Sequence, residues 1–308
     1  MSATSTSASS SSSTLAIGHG PSVALWDYSA SQTLTKFTPA HDLQDLSTSV
    51  DENLSDLQYS PNGQVVATSS FSSQHVILSH ASTGAQLAQI ILPPTMTSSE
   101  AKSNNSAGAT GVSSIHFGGG GRYMCLSSRC SSGRFDTNQI YIYNLAKMKW
   151  ARSFSIDSEF QCTKVCFDPT STFLASLSRK EDENGGGATG INAVTLWNIR
   201  EGTVAASLHY PFIVTNTNMF SNSSRRMDRK GAMQFSSLVP HYCAVGCGSS
   251  VVLYDINRAT GATSAASMVG SASTTKSNEP LFILRDKHQG KRCGSGSASS
   301  RYQVVIGF

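Results

Sequence analysis

Cysteines are the first residues in this chain that could do chemistry. The 308-residue sequence contains seven of them, and Cys162 with Cys166, like Cys243 with Cys247, has a spacing of four residues. In an extended strand this spacing places both thiols on one face but roughly 13 Å apart, which is too far for one metal ion to bind both. The sequence has no Cys-x-x-Cys pair, and His241 adds only a weak metal signal. We expect small buried thiols in a reducing compartment.

Glycine-rich and acidic stretches are the remaining candidates for catalysis. Residues 118–123, GGGGRY, lack the order of a phosphate-binding loop, and residues 185–190, GGGATG, are typical of a linker. Asp157, Glu159 and the acidic run 181–183 have no partnered base in the sequence, so we expect solvated loop residues. No GxSxG or HExxH motif occurs. The sequence therefore predicts a protein that is not an enzyme and that holds no cofactor or metal.

A Trp-Asp pair ends a short apolar run, VALWD, at residues 23–27, and similar runs recur about every 57 residues. These runs are HVILS at 75–79, QIYIYN at 139–144, AVTLWN at 193–198 and VVLYD at 251–255. Four of the five copies end in an aromatic residue followed by Asp or Asn, namely Trp26 and Asp27, Tyr143 and Asn144, Trp197 and Asn198, and Tyr254 and Asp255. Such a loose period indicates a fold built from repeated units.

Other predicted strands surround each copy in a fixed order. Two strands joined by a turn of Pro, Gly, Asn or Ser precede it, and one strand follows it, a pattern typical of hairpins. The second unit has apolar runs at 54–61, 64–70, 75–79 and 85–92, and the fifth ends with PLFIL at 280–284. Charged residues make up only 14% of the chain, and the abundance of Ser, Thr, Gly and Asn favours strands over long helices.

The third strand of each unit is apolar on both faces. In the first copy Val23 and Leu25 point one way, whereas Ala24 and Trp26 point the other. A four-stranded sheet cannot cover both of its own faces, but stacking such sheets around an axis does so. The sequence therefore predicts an all-β fold, a β-propeller of four-stranded antiparallel blades. The aromatic residues are expected to fill gaps between blades, and the following Asp or Asn is expected to end the strand.

The number of blades stays open between two alternatives. The first unit has three predicted strands, TLAIG, VALWD and TLTKF, and RYQVVIGF at 301–308 is one strand more. That strand either joins the first unit and closes a five-blade ring, which removes open sheet edges, or begins a blade of an incomplete seven-blade ring. Long polar inserts are predicted to be mobile surface loops. They cover residues 93–111, 179–191, 215–230, 257–279 and 285–300.

The repeat resembles WD-repeat proteins over residues 15–258. The resemblance rests on Trp26-Asp27, Tyr254-Asp255 and Trp197-Asn198, and on the turns S-P-N-G after Tyr59 and D-P-T-S after Phe167. The Gly-His pair of that family is absent from its usual place before the first hairpin. The resemblance implies a non-catalytic scaffold that binds other proteins. An adaptor in a ubiquitin ligase or a vesicle coat is an alternative, and a propeller enzyme is a further one.

A closer resemblance is to the WD-repeat proteins that target γ-tubulin ring complexes to centrosomes and spindles. It rests on LAIGHGPSVALWD at 15–27, TLTKFTPAH at 33–41 and SLVPHYCAVGCGSSVVLYDINR at 237–258. This resemblance implies a role in microtubule nucleation during mitosis, with γ-tubulin complexes or centrosomal proteins as partners.

Charge and hydropathy limit the other partners. The net charge of +4 is mild and diffuse, so nucleic acid is not an expected partner. The chain has no run of 18 apolar residues, which argues against a membrane span. Residues 1–14, MSATSTSASSSSST, are Ser-rich without the apolar stretch of a signal peptide, so we expect a disordered tail on a cytoplasmic protein whose propeller covers 15–308.

One basic cluster is a candidate contact for an acidic protein partner. Arg225, Arg226, Arg229 and Lys230 lie together in a polar stretch. Two interpretations are open, a solvated loop and a docking site for that partner.

Overall fold

The computed structural model describes the repeated sheets and the shorter connections between them. The described residues are 14–19, 21–27, 30–41, 54–71, 73–93, 110–130, 138–156, 160–180, 189–208, 210, 213–215, 232–247, 250–261 and 278–285. They form five antiparallel sheets, which we number I to V in chain order. No helix among these residues is long and apolar enough to cross a membrane.

Each sheet is a meander in which consecutive strands pair. Sheet I contains β1 (Thr14–His19), β2 (Ser22–Asp27) and β3 (Gln32–Phe37). Sheet II contains β4 (Leu54–Tyr59), β5 (Val65–Ser70), β6 (His75–His80) and β7 (Gln86–Ile91). Sheet III contains β8 (Thr110–Gly118), β9 (Tyr123–Cys130), β10 (Gln139–Asn144) and β11 (Lys149–Ser155), with a 3-10 turn, Gly119–Gly121, after β8.

The last two sheets follow the same order. Sheet IV contains β12 (Phe160–Phe167), β13 (Phe173–Lys180), β14 (Thr189–Asn198) and β15 (Thr203–Leu208), and β16 (Ile213–Thr215) pairs with the start of β14. Sheet V contains β17 (Ala232–Phe235), β18 (Tyr242–Cys247), β19 (Ser250–Asp255) and β20 (Phe282–Arg285). The predicted four-stranded antiparallel units are confirmed, and PLFIL supplies the fourth strand of sheet V.

The predicted inserts are partly wrong at their bounds, since residues 110–111 lie in β8, 179–180 in β13, 215 in β16 and 285 in β20. Residues 257–260, within the predicted insert 257–279, belong to the helix α1 (Ile256–Thr260). Asp255 caps this helix by accepting the backbone N–H of Asn257 at 3.0 Å, which satisfies a donor that the helix leaves free. Residues 189–191 lie in β14, because β16 pairs with them and lengthens the strand into the predicted insert 179–191.

The sheets stack through the strands at their inner edges. The inner strands β4, β8, β12 and β17 contact one another in turn, and β1 contacts β4, so these strands follow one another around a common axis. A separate apolar core lies between each pair of neighbouring sheets. Members of these cores are Val23 and Val66 between I and II, Ala67 and Ile115 between II and III, Ile140 and Val165 between III and IV, and Leu196 and Met233 between IV and V.

Gly111 in β8 marks the closest approach of two sheets. A Cβ atom at this position would lie 1.8 Å from the backbone oxygen of Phe71, which directly follows β5. The obstacle is main chain and cannot rotate away as a flexible side chain can. Only glycine therefore allows the backbones of sheets II and III to pack here.

We expect Gly111→Ala to lower the free energy of unfolding by about 3 kcal/mol or more, because it overpacks two backbones. Gly120→Ala is the matched control. Gly120 has φ of +63°, and no atom lies within 4 Å of a new Cβ there. Its replacement by Ala should therefore lower the free energy of unfolding by only about 1 kcal/mol, through backbone strain. Urea unfolding followed by circular dichroism measures both. Equal losses in the two variants would contradict the close approach of sheets II and III.

Candidate functional site

The Asp or Asn that ends β2, β10, β14 or β19 accepts a backbone N–H of the turn or helix that follows its strand. Each side-chain oxygen accepts a backbone N–H three residues later, Asp27 from Ala30 (3.2 Å), Asn144 from Lys147 (2.9 Å), Asn198 from Glu201 (3.1 Å) and Asp255 from Arg258 (3.3 Å). A short carboxylate or amide side chain suits this bond because it reaches its own backbone at a turn. Each of the four residues is the last residue of its strand, as predicted.

His80 takes the same place in sheet II, where HVILS has no aromatic–acid pair. Its Nδ1 accepts the backbone N–H of Ser82 at 3.3 Å, and its carbonyl accepts the N–H of Gly84 at 2.8 Å. The carbonyl of Asn198 accepts the N–H of Gly202 at the same distance, 2.8 Å. An imidazole acceptor thus substitutes for the carboxylate, which sequence reasoning did not anticipate.

Three of the four predicted aromatic residues fill gaps between sheets. Trp197 is buried, and its Nε1–H donates to Ser176 Oγ at 2.9 Å. Tyr143 packs edge-on against Trp150 with ring centroids 4.9 Å apart. Tyr254 is fully buried, and burial raises the pKa of its hydroxyl.

Trp26 departs from the prediction that it fills a gap between blades, since 37% of its surface is exposed. It lies opposite Leu15, which is 49% exposed, on the face of sheet I turned away from sheet II. Val23 and Leu25, on the other face, are fully buried. Among the described residues no sheet packs on the Trp26 side, and that is the physical reason for its exposure.

Hydroxyl side chains connect the inner strands to their neighbours. Ser55, Ser113 and Thr163 occupy equivalent bulges in β4, β8 and β12. Ser55 Oγ donates to the carbonyl of Val112 in the next sheet, and Ser113 Oγ donates to the carbonyl of Cys162 at 3.0 Å. The bulges in β8 and β12 thus each present a backbone carbonyl that accepts from the hydroxyl of the preceding sheet.

An ion pair joins three inner strands beside these bulges. Lys164 Nζ in β12 donates to Asp56 Oδ2 in β4 at 2.7 Å, and Ser114 Oγ in β8 donates to the same oxygen at 2.9 Å. The backbone N–H of Ile115 donates to it at 3.0 Å. The two charged side chains are only 17% and 15% exposed. Asp56, Lys164 and Ser114 therefore link sheets II, III and IV near the axis, and we call them the axial triad.

His116 and Cys166 meet between sheets III and IV. His116 Nε2 lies 3.5 Å from Cys166 Sγ, and its Nδ1 accepts the backbone N–H of Phe167 at 3.3 Å. Burial, assisted by the nearby Lys164 cation, lowers the pKa of His116 to about 4. Burial also raises the pKa of Cys166 to about 12. A neutral imidazole beside a protonated thiol does not provide the thiolate that nucleophilic catalysis needs.

Three further thiols are equally unreactive. Cys125, Cys162 and Cys243 are fully buried, and burial raises the pKa of each, to about 12 for Cys162. The prediction that Cys162, Cys166 and Cys243 are buried thiols is confirmed. Within the described ranges, no group of three His, Cys, Asp or Glu residues is placed to hold a metal ion.

A second histidine, His41, contacts sheet II from the segment that follows β3. His41 Nε2 lies 3.3 Å from Thr68 Oγ1 in β5, and burial lowers the pKa of His41 to about 4. In the same sheet Gln89 Nε2 lies 2.6 Å from His75 Nδ1. His41 thus attaches the segment after β3 to sheet II as a neutral group.

Some of these residues carried a signal in the sequence. Each member of the axial triad lies three positions before an aromatic residue that is the last or the last but one of its strand. Those aromatic residues are Tyr59, Phe117 and Phe167. A polar residue repeated at an otherwise apolar inner position was the available clue. The predicted contact of Arg225, Arg226, Arg229 and Lys230 lies outside the described residues and stays a prediction.

No family model matches this chain, and no curated protein matches it either. Solved structures do resemble it. Kuenenia stuttgartiensis hydrazine synthase superposes with a TM-score of 0.57 at 13% identity, over 81% of this chain and 63% of that one. The Dos1 propeller superposes with a TM-score of 0.50 at 14% identity, over 89% of this chain and 56% of that one. This chain thus spans less than two thirds of either protein.

A third similar structure is the β-propeller domain of Myceliophteria thermophila Cps50 (Swd1). Its TM-score is 0.54 at 11% identity, over 90% of this chain and 70% of that one. Likenesses at such low identity concern the arrangement of strands and not the chemistry of any site. Together with the five stacked antiparallel sheets, they show that this chain folds as a β-propeller.

Proposed function

We propose that this propeller is a non-catalytic scaffold that binds other proteins. The observation that carries the proposal is the use of the polar groups near the axis. Lys164 and Ser114 both bond to Asp56 across three sheets, and partly buried His116 contacts buried Cys166 between two sheets. A propeller enzyme needs such groups free to meet a substrate at the axis. Here they hold the sheets together, which leaves the loops and outer strands as the binding surface.

The finer proposal concerns the partner. The resemblance of residues 15–27, 33–41 and 237–258 to the proteins that target γ-tubulin ring complexes supports a role in microtubule nucleation at spindle poles during mitosis. On this proposal the protein is cytoplasmic and concentrates at centrosomes, and γ-tubulin complexes or centrosomal proteins bind it. The basic residues at 225–230 are the proposed contact, because clustered Arg and Lys pair well with acidic protein surfaces.

Reversal of the four basic residues tests the partner and its contact. Replacing Arg225, Arg226, Arg229 and Lys230 by Glu should abolish most of the γ-tubulin recovered with the tagged chain, because attraction becomes repulsion. The matched control reverses four exposed cations elsewhere, Lys36, Lys147, Lys149 and Arg200. Immunoblots of the recovered γ-tubulin measure both. Equal recovery of γ-tubulin with wild type and both variants would contradict this contact. No recovery of γ-tubulin with any of them would contradict γ-tubulin as the partner.

The structural role of the axial triad is tested by a double-mutant cycle. Lys164→Met should lower the free energy of unfolding by about 3 kcal/mol, because it leaves the carboxylate of Asp56 poorly solvated and without its cation. Adding Asp56→Asn should recover part of that loss, with a coupling energy of about 1–3 kcal/mol. Lys149→Met, at an exposed position in β11, is the control and should change stability by about 0.5 kcal/mol or less. Additive losses at Asp56 and Lys164 in urea unfolding would contradict the triad.

The partly buried histidines His41 and His116 predict a pH dependence of stability. In the unfolded chain both titrate near the ordinary pKa of 6.5, whereas in the folded chain the pKa of His41 and of His116 is about 4. The unfolded state therefore binds more protons between these values, and stability is lost as the pH falls from 6.5 towards 4. Each histidine adds up to about 1.4 kcal/mol per pH unit to the slope. His116→Asn should reduce the slope, measured by urea unfolding at several pH values. An unchanged slope would contradict a neutral, partly buried His116.

A further inference from the structure

The turn between β4 and β5 contains an Asn-Gly pair, Asn62-Gly63. Among the described residues, Asn62 is the one asparagine that glycine follows. Asn62 is exposed, and Gly63 is half-buried with φ of +69°. Glycine has no Cβ that shields its backbone nitrogen. This nitrogen can therefore reach the side-chain carbonyl carbon of Asn62, because a bond between the two atoms closes an unstrained five-membered ring.

Two donors hold the side-chain carbonyl of Asn62. Ser60 Oγ donates to Asn62 Oδ1 at 2.7 Å, and the backbone N–H of Gln64 donates to the same oxygen at 3.1 Å. Donors to a carbonyl oxygen stabilise the negative charge that develops on it when a nucleophile adds to its carbon. The turn therefore activates Cγ of Asn62 towards attack.

The nitrogen of Gly63 takes part in a hydrogen bond of the turn. Its N–H donates to the carbonyl of Ser60 at 2.8 Å. This bond must open before the nitrogen loses its proton and reaches Asn62. At an exposed turn such an opening costs little, because water replaces the lost partner. The reactive geometry is therefore accessible to the folded chain without unfolding of sheet II.

The turn between β12 and β13 shows that this Asn-Gly pair is not required for the fold. In both turns the equivalent residue donates its N–H to the carbonyl three residues earlier, Gly63 at 2.8 Å and Ser171 at 2.9 Å. Ser171 has φ of +57°, close to the +69° of Gly63, and Thr170 takes the place of Asn62. The chemistry of the pair can therefore be separated from the structure of the turn.

We propose that Asn62 is a modification site, at which the folded chain exchanges a side-chain amide for a carboxylate by reaction with water. The nitrogen of Gly63 gives its proton to water or hydroxide and bonds to Cγ of Asn62. The Cγ–Nδ2 bond breaks, and Nδ2 takes up a proton and leaves as ammonia. Water then opens the succinimide ring at either carbonyl, which leaves aspartate or isoaspartate at position 62. Water is consumed, ammonia is released, and no atom is oxidised or reduced.

Isoaspartate at position 62 alters the hairpin that begins sheet II. The carbonyl that accepts from Ser60 and Gln64 becomes part of the main chain, which is then longer by a carbon atom. Pro61 lies 3.5 Å from the position of a new Cβ at Gly121, so the altered turn also borders the corresponding turn of sheet III. Conversion should therefore weaken sheet II and its contact with sheet III.

Ageing of the purified chain tests the proposal. The folded protein is kept for several weeks in mildly alkaline buffer made with heavy-oxygen water, and its peptides are analysed by mass spectrometry. The peptide that contains position 62 should acquire a labelled carboxylate, with isoaspartate as one product. Labelling should be faster at higher pH, because Gly63 must lose its proton. Peptides that contain Asn138 or Asn198, which glycine does not follow, are internal controls and should keep their amides.

Two variants take the residues of the matching turn in sheet IV. Asn62→Thr removes the amide and should abolish labelling at this position. Gly63→Ser keeps the turn, as Ser171 does in sheet IV, and should slow labelling of Asn62 several-fold, because a side chain then crowds the nitrogen. After ageing, the urea midpoint of unfolding should fall for the wild type and stay constant for Asn62→Thr.

The outcomes are independent of the scaffold function, because they concern the chain alone. The folded chain should convert at a rate within several-fold of that in urea. Conversion in urea without conversion of the folded chain would show that the turn protects Asn62 and would overturn the proposal. Equal rates in wild type and Gly63→Ser would also overturn it, and an unchanged urea midpoint after conversion would overturn its structural consequence. If Gly63→Ser does not fold, the comparison of folded and urea-unfolded wild type decides.

Discussion

A small sheet with apolar side chains on both faces is stable only between two other sheets, and the rest of this molecule follows from that constraint. Burying each large apolar side chain contributes about 1.5–3 kcal/mol, and the four described cores contain side chains from both neighbouring sheets. No described sheet has an apolar core formed by its own side chains alone. The stability of the fold therefore depends on the junctions between sheets. Trp26 is 37% exposed because, among the described residues, no sheet packs on its side.

The junctions are polar as well as apolar. At the inner strands the sheets come close enough for Ser55 and Ser113 to reach carbonyls of the next sheet, and Gly111 is needed for two backbones to pass. The axial triad adds a charge pair that spans three sheets. Since a buried polar group is costly when it loses its partner, these bonds favour one relative position of neighbouring sheets. The same arrangement uses the groups that an active site would require.

The sequence was sufficient to predict the architecture but not the contacts between neighbouring sheets. Strand order, the last strand of sheet V and the position of Asp27, Asn144, Asn198 and Asp255 at the ends of their strands were predictable, because they depend on local pattern and turn chemistry. The contact of Asp56 with Lys164 was not, since it joins residues 108 positions apart. The exposure of Trp26 depends on which sheet lies beside it, and the helix α1 and the strand β16 interrupt stretches whose polar composition is typical of loops.

The inner strands should be the most stable part of the molecule, and native-state hydrogen exchange tests this most directly. Amides of β8 and β12, each packed between sheets, should exchange only through global unfolding, with an opening free energy equal to that from urea denaturation. Amides of the outer strand β11 should exchange through smaller local openings. Exchange of β8 and β12 as fast as that of β11 would contradict the claim that junctions between inner strands hold the propeller together.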